Sequence, residues 1–400
     1  IDDVLLDDQS GKEMLKITRL SAKFDIIPLF NGKITISSVQ LFGFNINLNK
    51  PAPHMEPNFK FVLDAFASKD TVKTKKDIDL RINSILIRRG KLSYDVLSEE
   101  ETPGKFNPQH IKLHNIIANI SLKALQNDSV NAAIKRLSVD EQSGFELRKL
   151  SLKVIANNKG MKIENFAIEM PGTEMKMDTI RMEYDSLKAL NHFADNVRFS
   201  FRTLPSHVTL NDISAFVPAL SNFKEKLDLN IDVEGTLNQL NCRTLEINAG
   251  DKFRLKGDVS LQDLSRPQDA YVYGHLANLS ANKEGIGFLV RNLSPHYNGV
   301  PPVLQHLGNT SFHGEISGYF TDLVMYGLFR TDIGSVQTDL KLSSDKAKAL
   351  FSYSGGVKTT DFELGQLLGN KQLGKITFNL DVRGNHYKSQ YPSITLKGLI

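Results

Sequence analysis

The stretch Leu227-Asp228-Leu229-Asn230-Ile231-Asp232-Val233 decides the fold class, because its apolar and polar residues alternate without a break. Successive side chains of a β-strand point to opposite faces of a sheet, so this pattern predicts a strand with one apolar and one polar face. Segments 20–26 and 376–382 alternate in the same way. Strands that are wet on one face are typical of antiparallel sheets, whereas buried parallel strands are apolar throughout. The sequence therefore predicts an all-β protein with an antiparallel sheet.

A longer repeat is superimposed on this alternation. Two alternating apolar residues are followed by two polar residues and then by two more alternating apolar residues. Requiring every intervening position to be polar leaves about one match expected by chance. The strict matches are 15–22, 34–41, 145–152, 175–182 and 240–247, and the segments with one apolar intruder are 80–87, 111–118, 132–139 and 161–168.

The structural meaning of the repeat follows from the odd number of residues in the step between its two apolar pairs. A three-residue step in a regular strand would place the second apolar pair on the opposite face of the sheet. One extra residue in a β-bulge restores the face and bends the strand. Many strands bent at one level would curl an elongated sheet into a trough. The alternative is a tight turn at each step, with no common bend, and we favour the bulge.

Short amphipathic helices are predicted to plug or flank this groove. Asn58 is placed to cap a helix near 58–67, and Ser186 to cap one near 186–195. Segments 285–293 and 303–307 give weaker helical signals.

An internal duplication relates 208–235 to 357–384 without gaps. Each copy is predicted to contain a helix, a short loop, an alternating strand and a glycine turn. The first helix would begin at Asn211 or Asp212, and the second at Thr360 or Asp361, with Phe362 on its apolar face. We divide the chain into a groove region at 1–207 and a second groove region at 208–400 that contains both copies. The polar stretches 68–76 and 97–108 are interpreted as loops on a continuous sheet.

Composition excludes several classes of function. The 49 Lys and Arg residues nearly balance 45 Asp and Glu residues, which gives a net charge of +4. This charge is too even for binding by counterion release, so no nucleic-acid partner is expected. The single cysteine, Cys242, excludes a disulfide framework and multi-thiolate metal sites. No apolar run approaches the 18 residues of a membrane-spanning helix. Because the chain opens without Met or an apolar leader, we expect a fragment whose anchoring segment lies upstream.

The sequence predicts no catalytic residues, no metal site and no cofactor, and therefore no enzyme. His110 and His114 would share one face of a strand, and no third ligand accompanies them, so ordinary histidines are favoured over a metal site. Gly285-Ile286-Gly287 and Gly355-Gly356 lack the glycine spacing and the lysine of a phosphate-binding loop.

Several segments resemble the N-terminal and middle regions of the TamB and AsmA-like family. The resemblance is carried by Asp3-Val4-Leu5-Leu6-Asp7-Asp8-Gln9, by Leu15-Lys16-Ile17 and by Pro28-Leu29-Phe30-Asn31-Gly32-Lys33-Ile34-Thr35-Ile36. The helix at Asn58-Phe59 and the unit from Asp361 to Gly384 are similar to later segments of that family. The likeness is diffuse, because the family is defined by its period more than by invariant residues.

The resemblance implies a β-taco, which is a curled sheet with an apolar lumen. It also implies a non-enzymatic role in lipid transport or outer-membrane assembly, in the periplasm and anchored to the inner membrane. The implied partners are phospholipid, the inner membrane through an upstream helix, and a BamA-like outer-membrane protein through a further C-terminal region.

The candidates for lining the groove are the apolar residues of the repeat and of the alternating strands. They are Ile34, Ile36, Val39, Leu41, Ile82, Ile85, Leu113, Ile116, Leu147, Leu150, Leu152, Ile163, Phe166, Ile168, Met175, Met177, Ile180, Met182, Leu229, Ile231, Leu245, Ile247, Phe378 and Leu380.

Two other classes of protein function remain open. A β-solenoid adhesin or glycan-binding surface protein would show exposed aromatic platforms, and an enzyme such as a polysaccharide lyase would cluster Arg, Lys, His and Tyr in a cleft.

Overall fold

The protein is an all-β chain whose 21 strands belong to one sheet, as the sequence predicts. The computed structural model describes residues 1–25, 34–66, 80–126, 129–266, 268–293, 299–345, 350–387 and 393–400. The predicted loop at 68–76 and residues 28–33 of the family resemblance lie outside these ranges. Strands β1 to β11 are Asp2–Asp7, Glu13–Asp25, Ile34–Lys50, Leu80–Val96, His110–Gln126, Ser129–Glu141, Glu146–Asn157, Gly160–Glu169, Glu174–Glu183, Arg198–Arg202 and Ser206–Val208. Strands β12 to β21 are Leu227–Thr236, Gln239–Ala249, Phe253–Gln262, Tyr271–Ala281, Thr310–Tyr319, Asp322–Thr331, Gly334–Asp345, Leu350–Glu363, Lys375–Tyr387 and Ser393–Leu399.

The chain divides into two compact units. The N-terminal unit comprises Ile1–Arg181 and Val208–Lys224, and the C-terminal unit comprises Met182–His207 and Glu225–Ile400. The polar stretch 97–108 connects β4 to β5 within the N-terminal unit, as its composition predicts.

Among the strand pairs whose register the structure describes, one departs from the antiparallel pattern. Strands β3 and β4 are parallel, with Ile36 opposite Ile82 and Leu41 opposite Ile87. Parallel neighbours need a crossover of a dozen or more residues, because the chain must return to the starting end of the sheet. Residues 51–79 separate these two strands and include helix α1 (Lys60–Phe66), so the chain has the length for this return.

The β-bulges predicted from parity are present at most of the three-residue steps. Between Ile36 and Val39, for example, β3 has one residue more than the facing part of β2, so both side chains remain on one face. At the step of 15–22 the register is constant between Ile17 and Leu20, and the facing residues Asp3 and Gly43 have positive φ of 52° and 63°, so the neighbouring strands bend at the same level. The step at 175–182 stays a prediction. Register shifts occur at the steps of segments 34–41, 80–87, 111–118, 132–139, 145–152, 161–168 and 240–247.

Both units contain β-bulges, and the C-terminal unit adds close contacts between glycines of neighbouring strands. In the N-terminal unit the bulge residues Asn115 and Asn165 have φ of 54° and 53°, a left-handed conformation that asparagine adopts more easily than most residues. In the C-terminal unit glycines face each other across the ladder. Gly314 lies opposite Gly327, and a Cβ atom on either would collide with a backbone carbonyl oxygen of the neighbouring strand. Such close approach is possible only without a side chain.

The helices are short and begin at residues other than the predicted ones. Asn58 does not cap α1; its side chain accepts a hydrogen bond from the Asn49 backbone N–H at 2.9 Å and donates to the Asn47 carbonyl at 3.1 Å. Ser186 precedes a 3₁₀ helix, Leu187–His192, without a side-chain capping bond. The remaining helices are α2 (Phe193–Asn196), α3 (Lys283–Leu293), α4 (Pro302–Gln305), α5 (Leu364–Leu368) and the 3₁₀ helices Leu210–Ile213 and Pro218–Leu220.

The helix predicted to begin at Thr360 or Asp361 is also misplaced. Strand β19 continues to Glu363, and α5 begins only at Leu364. Phe362 is therefore a buried strand residue, because Thr359 and Phe362 bracket a register shift against β20 that keeps both on the inner face. In the first copy of the duplication, the Asp212 carboxylate accepts hydrogen bonds from the Gly172 backbone N–H at 3.0 and 3.2 Å.

Candidate functional site

Apolar side chains of successive strands form continuous rows across the N-terminal unit. Residues directly opposite each other on neighbouring strands point to the same face of the sheet, so each row lies on a single face. The central row is Leu20, Leu41, Ile87, Ala118, Leu137, Leu150 and Ile168, and the flanking rows are Ala22, Val39, Ile85, Ile120, Ile134 and Leu152, and Phe24, Ile36, Ile82, Leu122, Ala132, Val154 and Ile163.

The C-terminal unit has rows of the same kind. Each row crosses from β12 to β20, and glycine or threonine replaces a larger apolar residue at some positions. One row is Leu229, Ile247, Leu255, Leu279, Phe312, Phe329, Val336, Thr359 and Phe378, and the next is Ile231, Leu245, Gly257, Leu276, Gly314, Gly327, Thr338, Val357 and Leu380. We call the face that bears these rows, in each unit, the apolar face.

The other candidates are placed strand by strand. Leu113 lies opposite Leu92, Ile116 opposite Gly90 and Leu147 opposite Val139, so these three extend the apolar face of the N-terminal unit. On β9 burial alternates on both sides of the three-residue step. Met175, Met177, Ile180 and Met182 are the less exposed positions, whereas Lys176, Asp178 and Arg181 are exposed.

Most of the groove candidates are neither buried nor fully exposed to solvent. Leu147, Ile180 and Leu380 are buried, at 7, 8 and 8 % exposure. All other candidates whose side chains are described are half-buried, and none of those is exposed. Of the other row members, Ala118, Leu276 and Phe312 are buried and Phe24 is exposed. Because the interior of a packed core excludes water almost completely, partial exposure of most candidates indicates an apolar surface that the protein's own side chains cover only in part.

The opposite face carries charge pairs between neighbouring strands. The Lys153 ammonium lies 2.7 Å from Glu164, and Lys162 lies 2.6 Å from the same carboxylate. Hydrogen bonds from Lys153 and then Lys162 lower the pKa of Glu164 to about 2. In the C-terminal unit Arg202, at 2.6 Å, is the main group that lowers the pKa of Asp232. The two faces thus differ in polarity, as the alternation predicts.

Helical segments place aromatic rings against the ends of the apolar face. Phe216, which precedes the 3₁₀ helix Pro218–Leu220, lies 4.9 Å from Phe145 and 4.8 Å from Phe106 between ring centroids. Phe193 of α2 stacks on Phe199 at 6.0 Å. Short helical segments are therefore present in both units, and they are shorter than expected; that they plug or flank a groove stays a prediction.

The sequence analysis missed about half of the row positions. Ile87, Ile120 and Leu137 stand in the same rows as the candidates, and so do Phe312 and Phe329. Simple alternation around the quoted repeat would have identified the first three. The last two lie on strands interrupted by glycine and histidine, where the apolar pattern is weak in the sequence.

Two acidic side chains accompany His110, contrary to the expectation that no third ligand lies near the histidines. Asp95 and Glu101 bring carboxylate oxygens within 4.8 Å of the ring, whereas His114 lies apart, 3.8 Å from Asp140. Hydrogen bonds account for this arrangement. Nδ1 of buried His110 is 3.0 Å from the Asp95 carboxylate, and Nε2 is 3.0 Å from the Glu99 carbonyl oxygen. A cation at this place would have to displace the Asp95 contact, and the Lys112 ammonium already lies 2.8 Å from Glu101. The cluster closes the 97–108 loop onto the start of β5.

No family model, no curated protein and no solved structure matches this chain. Among the described residues, no helix has the length and apolar character needed to cross a bilayer. The fold and the site define the class of an all-β protein with an apolar face in each unit.

Proposed function

We propose that this chain is a non-enzymatic lipid-binding protein whose apolar face holds the acyl chains of phospholipid. The observation that supports the proposal is the set of apolar rows in each unit, whose candidate side chains are mostly half-buried. The rows are unbroken in the N-terminal unit, and glycine or threonine interrupts them in the C-terminal unit. The resemblance to the TamB and AsmA-like family extends it to lipid transport between the inner and outer membranes, in the periplasm. The inner membrane and a BamA-like outer-membrane protein are the partners proposed on that resemblance.

The energetics require a continuous apolar surface. Burial of one methylene is worth roughly 0.8 kcal/mol, so a sixteen-carbon chain would cost about 12 kcal/mol to expose to water. A polar gap along the path would expose part of that chain. The central row of the N-terminal unit crosses seven strands without such a gap, from Leu20 to Ile168.

The dimensions suit a lipid tail. At about 4.8 Å between strands, a row over seven strands extends roughly 29 Å. One acyl chain occupies about half of the ~30 Å hydrocarbon core of a bilayer, or roughly 15 Å. A single row therefore offers more than the length of one tail, and the three adjacent rows offer width for the two tails of a phospholipid.

Photocross-linking tests the proposal, because neighbouring residues of a strand point to opposite faces. A benzophenone amino acid is placed at Leu150 or Leu255, and in matched controls at Ser151 or Lys256. The full chain is incubated with vesicles that contain radiolabelled phosphatidylethanolamine and is then irradiated. We expect labelled lipid adducts at Leu150 and Leu255 and little labelling at the two controls.

Two results would contradict the proposal. Equal labelling of both faces would indicate non-specific adsorption, and absence of adducts at Leu150 and Leu255 would show that lipid does not reach the apolar face. Ile163→Glu provides a second measurement, because Ile163 is half-buried at the end of its row. This variant should keep the circular dichroism of the wild type and lose adduct formation at Leu150.

A further inference from the structure

The face of the C-terminal unit opposite the apolar rows carries a cluster of tyrosines on three adjacent strands. Strand β15 contributes Tyr271 and Tyr273, β16 contributes Tyr319, and β17 contributes Tyr326. Tyr271 lies opposite Tyr319, and their rings form a T-shaped pair with centroids 5.4 Å apart. Val324 lies on the same face between Tyr319 and Tyr326 in the ladder. We call these five residues the tyrosine patch.

The rings of the tyrosine patch are accessible. Tyr273, Tyr319 and Tyr326 are 43, 50 and 53 % exposed. Within the described part of the chain, the four phenol hydroxyls form no hydrogen bond to another residue. On β12 the same face carries the polar residues Asp228, Asn230 and Asp232. A cluster of exposed tyrosines whose hydroxyls form no hydrogen bond therefore differs from the rest of this face.

Acidic side chains surround the patch. Asp258, His275, Glu315, Tyr326 and Asp339 follow one another across β14 to β18 in a single row. The nearest ammonium group on this face belongs to Lys341, and Asp322 already pairs with it at 2.9 Å. The excess of negative charge repels phosphate groups, which disfavours an anionic lipid surface or a nucleic acid as the partner.

The size of the patch limits what it can bind. Four residue steps along a strand cover about 13 Å, and five strands cover about 19 Å, so the patch and its flanks form a footprint of roughly 250 Å². A stable interface with a folded protein needs about 800 Å² on each side. None of the cavities described in this chain is lined by patch residues, so an enclosed small molecule does not fit either.

We propose that the tyrosine patch binds a neutral oligosaccharide. Tyrosine combines an apolar ring face with a polar hydroxyl, so it can pack against the C–H face of a sugar ring and bond to its hydroxyl groups. The carboxylates of Asp258, Glu315 and Asp339 supply further acceptors at the edge of the platform. This site lies on the opposite face from the proposed lipid surface and does not depend on it.

Isothermal titration calorimetry of the full chain tests the proposal. The probes are cellotetraose and tetra-N-acetylchitotetraose, with tetralysine as a basic competitor class. The double variant Tyr273→Ser/Tyr326→Ser should weaken the binding of a tetrasaccharide roughly tenfold, because two ring contacts are removed. The double variant with Phe at both positions keeps the rings and should lose much less. Asn379→Ser, on the same face of β20, is the control and should bind as the wild type does.

Three outcomes would overturn the proposal. They are absence of binding to either tetrasaccharide, binding that the Ser variant leaves unchanged, and preferential binding of tetralysine. Sedimentation of the same variants covers one further case. If the wild type forms a dimer that the Ser variant does not, the patch is an interface between copies of the chain, and the oligosaccharide assignment is wrong. Each result is independent of lipid adducts on the apolar face.

Discussion

Deletion of Asn165 tests whether β8 accommodates its three-residue step with one extra residue. Asn165 is the extra residue of β8 opposite β7, since Ser151 faces Ala167 while Lys153 faces Glu164. Without it, the step from Ile163 to Phe166 has two residues, and a regular strand keeps the side chains of such a step on one face. Phe166 and Ile168 would therefore remain on the apolar face, and only the bend of β8 would be lost.

The magnitude follows from the burial of these side chains and from the backbone of Asn165. Moving Phe166 and Ile168 to the charged face would cost about 2–3 kcal/mol together, because full burial of a large apolar side chain is worth about 1.5–3 kcal/mol and both are half-buried. The deletion avoids this cost. Asn165→Val keeps the register but forces a β-branched residue into φ of 53°, which costs roughly 1–2 kcal/mol. Asn165→Gly suits that conformation and should be neutral or slightly stabilising. Because the deletion loses only the bend, the expected order of destabilisation is Val, then the deletion, then Gly.

Native-state hydrogen exchange measured by mass spectrometry is the appropriate assay, because a chain with two units need not unfold in one step. Peptides from β7 and β8 should lose protection in the order given above, and peptides from the C-terminal unit provide the internal control. Equal protection in the Val and Gly variants would refute the left-handed bulge. A deletion variant that is less protected than the Val variant would refute the parity argument itself, because it would indicate that Phe166 and Ile168 had left the apolar face.

Three further changes have an expected direction of effect on the stability of the fold. In helix α3, Gly287→Ala should stabilise by about 0.5–1 kcal/mol, whereas Gly285→Ala should destabilise, because its Cβ would meet the Lys252 carbonyl oxygen; thermal melts compare the two. The Asp95 hydrogen bond raises the pKa of His110, so this contact stabilises the fold below pH 6.5 and its contribution is lost as pH rises through the raised pKa; urea unfolding of His110→Gln should lack this slope. Glu164 has a lowered pKa, so its stabilisation is present above pH 4.5 and disappears as pH falls towards about 2; a carboxyl titration by NMR that starts near 4.5 would contradict this.

The polarity of the two faces could be predicted from the sequence, because the alternation of side chains along a strand has a fixed period and does not depend on distant residues. The bulges could be predicted as well, since a three-residue step keeps its apolar residues on one face only if one residue is extra. Asn165 and Asn115 illustrate this, because each falls within a step quoted from the sequence, and the structure adds that each has a left-handed backbone.

Features that depend on partners distant in sequence were not predictable in this way. The parallel register of β3 and β4 depends on the return path of residues 51–79, and no local pattern encodes its direction. The buried His110 cluster joins Asp95 to β5 across the 97–108 loop, a contact that histidine spacing alone does not reveal. Helix starts were misplaced for a related reason. Asn58 resembles an N-cap in sequence, yet its amide is used by the edge of β3.

The two units reach the same separation of faces from different residues, and this bears on function. The N-terminal unit uses left-handed asparagines at its bulges, and its central row keeps an apolar side chain on every strand. The C-terminal unit places Gly257, Gly314 and Gly327 within an apolar row, so no side chain covers the backbone at these three positions. A regular strand would change face at each three-residue step, so an apolar face that crosses many strands has to be maintained strand by strand. The register shifts in both units maintain it.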